Sequence, residues 1–172
     1  MGRHQACKVN LVADVFSMKE RSRIMARVHS KDTLPELIVR SKLHRLGFRF
    51  VLSPDYLPGK PDIVLPRFRK LIFVHGCFWH QHKGCKASER PSSNLEYWNK
   101  KLERNIKRDK RNVNDLKRAG WDVLVLWECQ VRNNDSLEGR LEKFMRSASA
   151  HPPLRRKDIK GGRYEKQKTD TN

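Results

Sequence analysis

Between about residue 18 and residue 146 the apolar positions of this 172-residue chain fall into helical and extended periods, and outside that span no period is sustained. The first clear helix opens at TLPE. Thr33 can cap the free backbone N–H groups, Glu36 can reach back from three residues on, and Pro35 is tolerated in the first turn. Leu34, Leu37, Ile38, Leu43 and Leu46 form the stripe expected to face a core, and Gly47 ends the helix. A shorter basic helix is expected before it, from about Met18 to Val28. Extended segments are expected at Phe48 to Leu52, Asp62 to Leu65 and Lys70 to His75, punctuated by the turn formers Pro54, Pro58 and Gly59. The basic link Pro66 to Arg69 is so short that the second and third of these must form an antiparallel hairpin. A long helical period then runs from Leu95 to Ala119 and stops at Gly120. The next stretch, WDVLVLWEC, is apolar on both pleat faces and reads as a central strand covered on two sides. A final amphipathic helix spans about Leu137 to Arg146. This order predicts an α/β sandwich built on a mixed sheet.

The length suits one domain better than two. Residues 1–16 and 147–172 read as flexible arms on a domain at 17–146. Charge narrows the choice of partner: 38 Lys and Arg stand against 19 Asp and Glu, for a net charge of +19. Such an excess favours a polyanion, because Lys and Arg gain affinity by releasing counterions from phosphate backbones; the plainer alternative is a solvated basic surface. No apolar run approaches the ~18 residues of a membrane span, and no signal pattern opens the chain. A soluble intracellular protein is expected, with its four cysteines reduced or metal-bound rather than paired.

The chemically densest stretch is HGCFWHQHKGC, residues 75–85. Cys77, His82 and Cys85 offer three members of a tetrahedral thiolate and imidazole set of the kind that binds zinc. Cys129 can supply the fourth if its strand pairs beside the one ending at His75. Four protein ligands leave no open position, so such a zinc would be structural; the alternative is a scatter of buried cysteines and a surface histidine. Phe78 and Trp79 are adjacent and cannot both enter one core from an extended backbone. At least one should project, which on a basic protein suits stacking on bases or wedging between them, against the alternative of capping a small metal-bound core. Asp62 stands at the mouth of a strand after the PGKP turn, where a carboxylate can hold Mg²⁺ or serve only the turn. Along the long helix the series Leu102, Ile106, Val113 and Leu116 lacks its apolar member at Asp109. A carboxylate on that stripe needs compensation. A histidine would supply it and gain basicity at its other ring nitrogen, with His75 and His80 the two candidates and a neighbouring Arg or Lys the alternative.

Four blocks in this order, PGKPD (58–62), HGCFWH (75–80), NIKRD (105–109) and WEC (127–129), resemble the very-short-patch repair DNA mismatch endonucleases, the Vsr family. The resemblance extends from about Ser17 to Met145 and includes RSRIMARVHSKDTLPE. It implies a restriction-endonuclease-like α/β fold: a three-layer core with a mixed central sheet flanked by helices, plus a structural zinc site. It implies a Mg²⁺-dependent nick in one strand, 5′ to the thymine of a T:G mismatch left by deamination of 5-methylcytosine. By residue, it makes Asp62 and the backbone carbonyl of Val74 the Mg²⁺ contacts, His80 the general base paired with Asp109, His75 a further active-site histidine and Glu36 a supporting acid. It assigns structural Zn²⁺ to Cys77, His82, Cys85 and Cys129, and insertion into DNA to Phe78, Trp79 and Trp98. Expected partners are duplex DNA with a T:G mismatch, mismatch-repair proteins and a cytosine-5 methyltransferase of the same bacterial cell, with a monomer acting in the cytoplasm at the nucleoid. Position 74 is Val where the family pattern has Thr, which a main-chain contact tolerates. Two residues rather than one separate His82 from Cys85, and FVH replaces the acidic-x-Lys of ordinary restriction enzymes. Two other classes stay open: a zinc-stabilised binder without catalysis, which has no use for Asp62 with a His80–Asp109 pair, and a restriction endonuclease, which would cut both strands of intact duplex.

Overall fold

A computed structural model describes residues 31–52, 54–133 and 136–149, with Glu20, Arg23 and Pro152. All but two positions of the helix expected at 18–28, and all of both arms except 147–149 and Pro152, lie outside the described residues. Helix α1 (Leu34–Arg45) begins as its sequence predicts, with Thr33 extended and the Glu36 carboxylate folded back onto the Thr33 hydroxyl at 2.7 Å. Its inward face is different. Leu34 and Leu37 are 57 % and 48 % exposed, and the buried positions are Pro35, Glu36, Val39, Lys42 and Leu43. The expected stripe therefore holds only at Leu43, with Ile38 and Leu46 half-buried against the core. The physical reason is that two charged side chains on the buried face have partners. Glu36 is bonded by Arg40, and Lys42 reaches Glu138 at 3.1 Å.

Strands β1 (Val51–Leu52), β2 (Ile63–Leu65), β3 (Lys70–His75) and β4 (Asp122–Trp127) form one sheet in that order. Only the last two residues of the segment expected at 48–52 pair as strand. β2 and β3 are the expected antiparallel hairpin, Ile63 opposite Ile72 and Leu65 opposite Lys70, joined through the short turn Pro66–Phe68 and Arg69 in the left-handed region. β3 and β4 run parallel, with His75 opposite Trp127. A parallel pair needs a long crossover, and α2 (Leu95–Arg118) provides it.

Alternation of side chains makes two cores. Ile63, Leu65, Ile72 and Leu126 pack with Val39 and Leu43 of α1, Val131 of α3 (Glu128–Arg132), and Leu137, Leu141 and Met145 of α4 (Leu137–Arg146). Val64, Leu71 and Phe73 pack on the other face with Leu57, Leu116 and Trp121. The result is three layers around a mixed sheet. WDVLVLWEC is thus covered on both faces as expected, Leu124 and Leu126 on one and Val123 and Val125 on the other. Its place in the sheet needs correction: among the described residues β4 is an edge strand, and the interior strands are β2 and β3. Apolar residues on both faces report helices above and below, not a neighbour on each side. At the end of the sheet where β3 begins, buried Lys70 donates to Asp122 Oδ2 at 3.2 Å and Ser147 Oγ at 2.8 Å, and Arg69 donates to the carbonyl of Pro152 at 3.0 Å.

Candidate active site and metal centre

Strand direction gathers the chemistry at the other end of the sheet. In the antiparallel hairpin the start of β2 lies beside the end of β3, and in the parallel pair β3 and β4 finish together. Asp62, Val74, His75, Trp127 and, one residue into α3, Cys129 are therefore neighbours. The turn that delivers Asp62 is tightly built: Gly59 has φ +74°, and a Cβ there would stand 2.7 Å from the Asn112 amide of α2, so only glycine fits.

Asp62 Oδ2 accepts the Val74 backbone N–H at 2.7 Å. Burial, helped by the negative charge of Glu36, nevertheless lifts the Asp62 carboxyl to about 6, with the Val74 hydrogen bond opposing. A buried carboxyl raised in part by a second carboxylate nearby suits a cation. Glu36 itself is held by Thr33, the Asp32 N–H and Arg40.

After His75 the chain turns at once. His80 N–H donates to Gly76 O and His82 N–H to Cys77 O, so residues 77–81 form a compact turn rather than an extended run. The turn lays the His80 ring on His75, centroids 3.8 Å apart and planes 9° from parallel. His80 Nδ1 meets Asp109 Oδ2 at 2.6 Å, which settles the choice between the two histidines. Burial pushes Asp109 up, but the hydrogen bond and charge of His80, with Arg108 beside it at 3.1 Å, prevail and hold the carboxyl below its usual range. Burial first, and the nearness of His80 second, lower His75 to about 3, so its imidazole is neutral. His75, His80 and Asp109 bring donor atoms within 4.8 Å of one another. The two imidazoles stack face to face, and the hydrogen bond in this group is the one between His80 and Asp109.

Cys77, His82, Cys85 and Cys129 do converge, all four donor atoms lying within 4.8 Å. The Cys77 and Cys129 sulfurs lie 3.7 and 3.3 Å from His82 Nδ1. Ligands at about 2.3 Å for sulfur and about 2.0 Å for nitrogen around a tetrahedral ion stand about 3.5 Å apart, so the cluster has the dimensions to hold a metal. Two residues between His82 and Cys85 fit this arrangement, because Gly84 takes φ +77° and Cys85 N–H donates to His82 O. Burial raises the Cys77 thiol to about 12 and lifts Cys129 as well. Cys129 lies on α3 rather than on the strand expected from WEC, and the end of β4 carries it there.

Phe78 and Trp79 are both half-buried. They sit edge to face at 5.0 Å, with Trp98 of α2 5.4 Å from Phe78 and 6.2 Å from Trp79. Trp98 is 5 % exposed and acts as the floor of this cluster, presenting little ring face of its own. Sequence reading missed two residues here. Lys101 holds its ammonium over the rings of Trp79, Tyr97 and Trp98, and Asn105 donates to the Trp79 carbonyl at 3.1 Å. Their signal was helical spacing: three and seven residues after Trp98, they share its face of α2.

Similarity to known proteins accords with this geometry. A family model described as DNA mismatch endonuclease Vsr matches residues 13–86. The type II nicking enzyme V.XorIIP of Xanthomonas oryzae pv. oryzae is 46 % identical over 134 residues, 78 % of this chain and 98 % of that protein. The type II nicking enzyme V.NmeAIP of Neisseria meningitidis is 38 % identical over 135 residues, 78 % of this chain and 96 % of that protein. The DNA mismatch endonuclease Vsr of Escherichia coli is 38 % identical over 139 residues, covering 78 % and 88 % of the two chains. On sequence, and on an end of the sheet built around an acidic pocket and a carboxylate-held histidine, the chain belongs to the Vsr family of DNA mismatch endonucleases.

Proposed function

We propose that this chain nicks one strand of duplex DNA 5′ to the thymine of a T:G mismatch, by Mg²⁺-dependent hydrolysis in which His80 prepares the attacking water. The observation that carries this reading is the 2.6 Å contact between His80 Nδ1 and Asp109 Oδ2, at the end of the sheet that also bears Asp62. With Nδ1–H donated to the carboxylate, Nε2 is the ring nitrogen left to accept a proton from water, and Asp109 stabilises the imidazolium that results. His75, neutral and stacked on one face, fixes the ring plane and keeps bulk water from that side. Asp62 and the Val74 carbonyl would hold Mg²⁺, with Glu36 adding negative charge nearby. When bound, the ion supplies charge stabilisation for the phosphorane and the leaving oxygen.

Cys77, His82, Cys85 and Cys129 would hold zinc as a closed, structural set. Phe78 and Trp79, supported from below by Trp98, suit a wedge between base pairs. A T:G pair resists such a wedge less than a matched pair does, by a few kcal/mol at most. The core is of the restriction-endonuclease-like kind, with His80 in the role that a lysine fills in ordinary restriction enzymes. Repair proteins and a cytosine-5 methyltransferase are the cellular partners this reading calls for, and the protein acts as a monomer. No described helix is long and apolar enough to cross a membrane.

The test is to incubate purified protein with an end-labelled T:G heteroduplex, with and without Mg²⁺, beside a matched duplex. A break in the thymine strand alone, only with Mg²⁺, is expected. Cleavage of both strands of the matched duplex, or none of the mismatched one, overturns the proposal.

A further inference from the structure

The outward face of α2 carries Lys100, Arg104, Lys107, Arg108 and Arg111, lining a shallow groove of about 550 Å³ with one acidic residue, Glu103. Like charges recur four apart at 100/104, 104/108 and 107/111, a spacing that destabilises a helix unless opposite charges intervene. Elsewhere this chain supplies them: Arg118 pairs with Asp115, Arg132 with Glu128 and Arg146 with Glu142. Arg104, Lys107 and Arg111 make no ion pair among the described residues. Glu103, although four residues before Lys107, pairs with none of them either. A face that was merely solvated would gain from such pairs; here Lys100 and Arg108 have carboxylate partners, Glu96 and Asp109, and the other three cations have none.

We propose that this stripe is a track for the sugar–phosphate backbone of the DNA flanking the reaction site, an interaction that deepens the proposed function and rests on it. The stripe has the length and the position for this. From Lys100 to Arg111 the helix rises about 16 Å, and phosphates on one strand recur about every 3.4 Å of duplex axis, so four or five fall within its reach. Its first residue adjoins Lys101, over the ring cluster, and Arg108 touches Asp109, which holds His80. A duplex seated over the rings and the histidine has this face of α2 at its flank. Backbone contacts carry no sequence information, so the track sets register and affinity and leaves mismatch choice to the rings.

The test is the salt dependence of binding, measured by fluorescence anisotropy without added divalent cation, on T:G and matched duplexes over a KCl series. The triple variant Arg104→Ala, Lys107→Ala, Arg111→Ala should flatten the slope of log Kd against log[KCl] by about 2 to 3, equally for both duplexes. Glu103→Lys should steepen it by about 1, a gain that misfolding does not produce. An unchanged slope in both variants, or a change confined to the mismatched duplex, overturns the track. Because these readings need no cleavage, they stand apart from the nicking assay. Wild-type protein that binds with the expected slopes but leaves a T:G heteroduplex whole defeats the proposed function and not the track.

Discussion

Asp62→Asn should make the protein more stable while abolishing its cleavage activity. In the folded chain burial raises the Asp62 carboxyl from 3.8 to about 6. A carboxyl whose folded pKa exceeds its unfolded one holds its proton more tightly when folded. The ionised form therefore opposes folding: the penalty is absent below about 3.8, grows through the interval, and is complete above about 6. One pKa unit corresponds to about 1.4 kcal/mol, so the full penalty is about 3 kcal/mol. Asparagine keeps an oxygen to accept the Val74 N–H and carries no charge, so it removes the penalty without orphaning the donor. At 2–4 °C per kcal/mol for a domain near this size, Tm should rise by about 6–12 °C near neutral pH without divalent cation. The assay is differential scanning calorimetry of both proteins at several pH values in metal-free buffer. The advantage of the variant should shrink to under about 1 kcal/mol near pH 4. Added Mg²⁺ should raise the Tm of the wild type alone. A variant less stable than wild type near neutral pH, or an advantage that does not change with pH, refutes the reasoning.

Three further outcomes are expected. Asp109→Asn should lower single-turnover nicking about 100- to 1,000-fold while DNA binding survives. Two unit charges about 4 Å apart interact by about 4 kcal/mol at an effective dielectric near 20, so a loss under about fivefold would remove Asp109 from the reaction. Cys129→Ser should lower both bound zinc, read by native mass spectrometry, and Tm; unchanged stoichiometry would take Cys129 out of the metal set. Trp79→Ala should bring affinities for T:G and matched duplexes closer together, and an unaltered ratio would make Trp79 a cap on the metal-bound core rather than a wedge.

What the sequence disclosed follows from which interactions are local. The opening of α1 was readable because Thr33 and Glu36 lie one turn apart, and the hairpin was readable because four residues leave no other connection. Asp109 announced itself as a carboxylate in an apolar series. Which histidine it meets was not readable, because the answer depends on a turn at 77–81 that folds His80 back over His75. The exposure of Leu34 and Leu37 was hidden for a similar reason. The buried face of α1 is fixed by Arg40 and by Glu138, and Glu138 lies 96 residues from the lysine it engages. The edge position of β4 was hidden because two covering helices and two flanking strands leave the same apolar signature.

Residues 75–85 send their side chains by turns to three destinations: 75 and 80 to the histidine stack, 77, 82 and 85 to the cysteine cluster, 78 and 79 to the aromatic rings. Under the proposed function, one short segment thus sets the distance between where a helix of bases would be pried open and where its backbone would be broken. Loosening the sulfur clasp, by oxidation or by a chelator, should disable reading and cutting in a single event. For the same reason the loop is not portable by itself. A graft that aims to move its lesion-sensing to another scaffold must bring Cys129 and the stretch of α2 from Trp98 to Asp109 as one cassette.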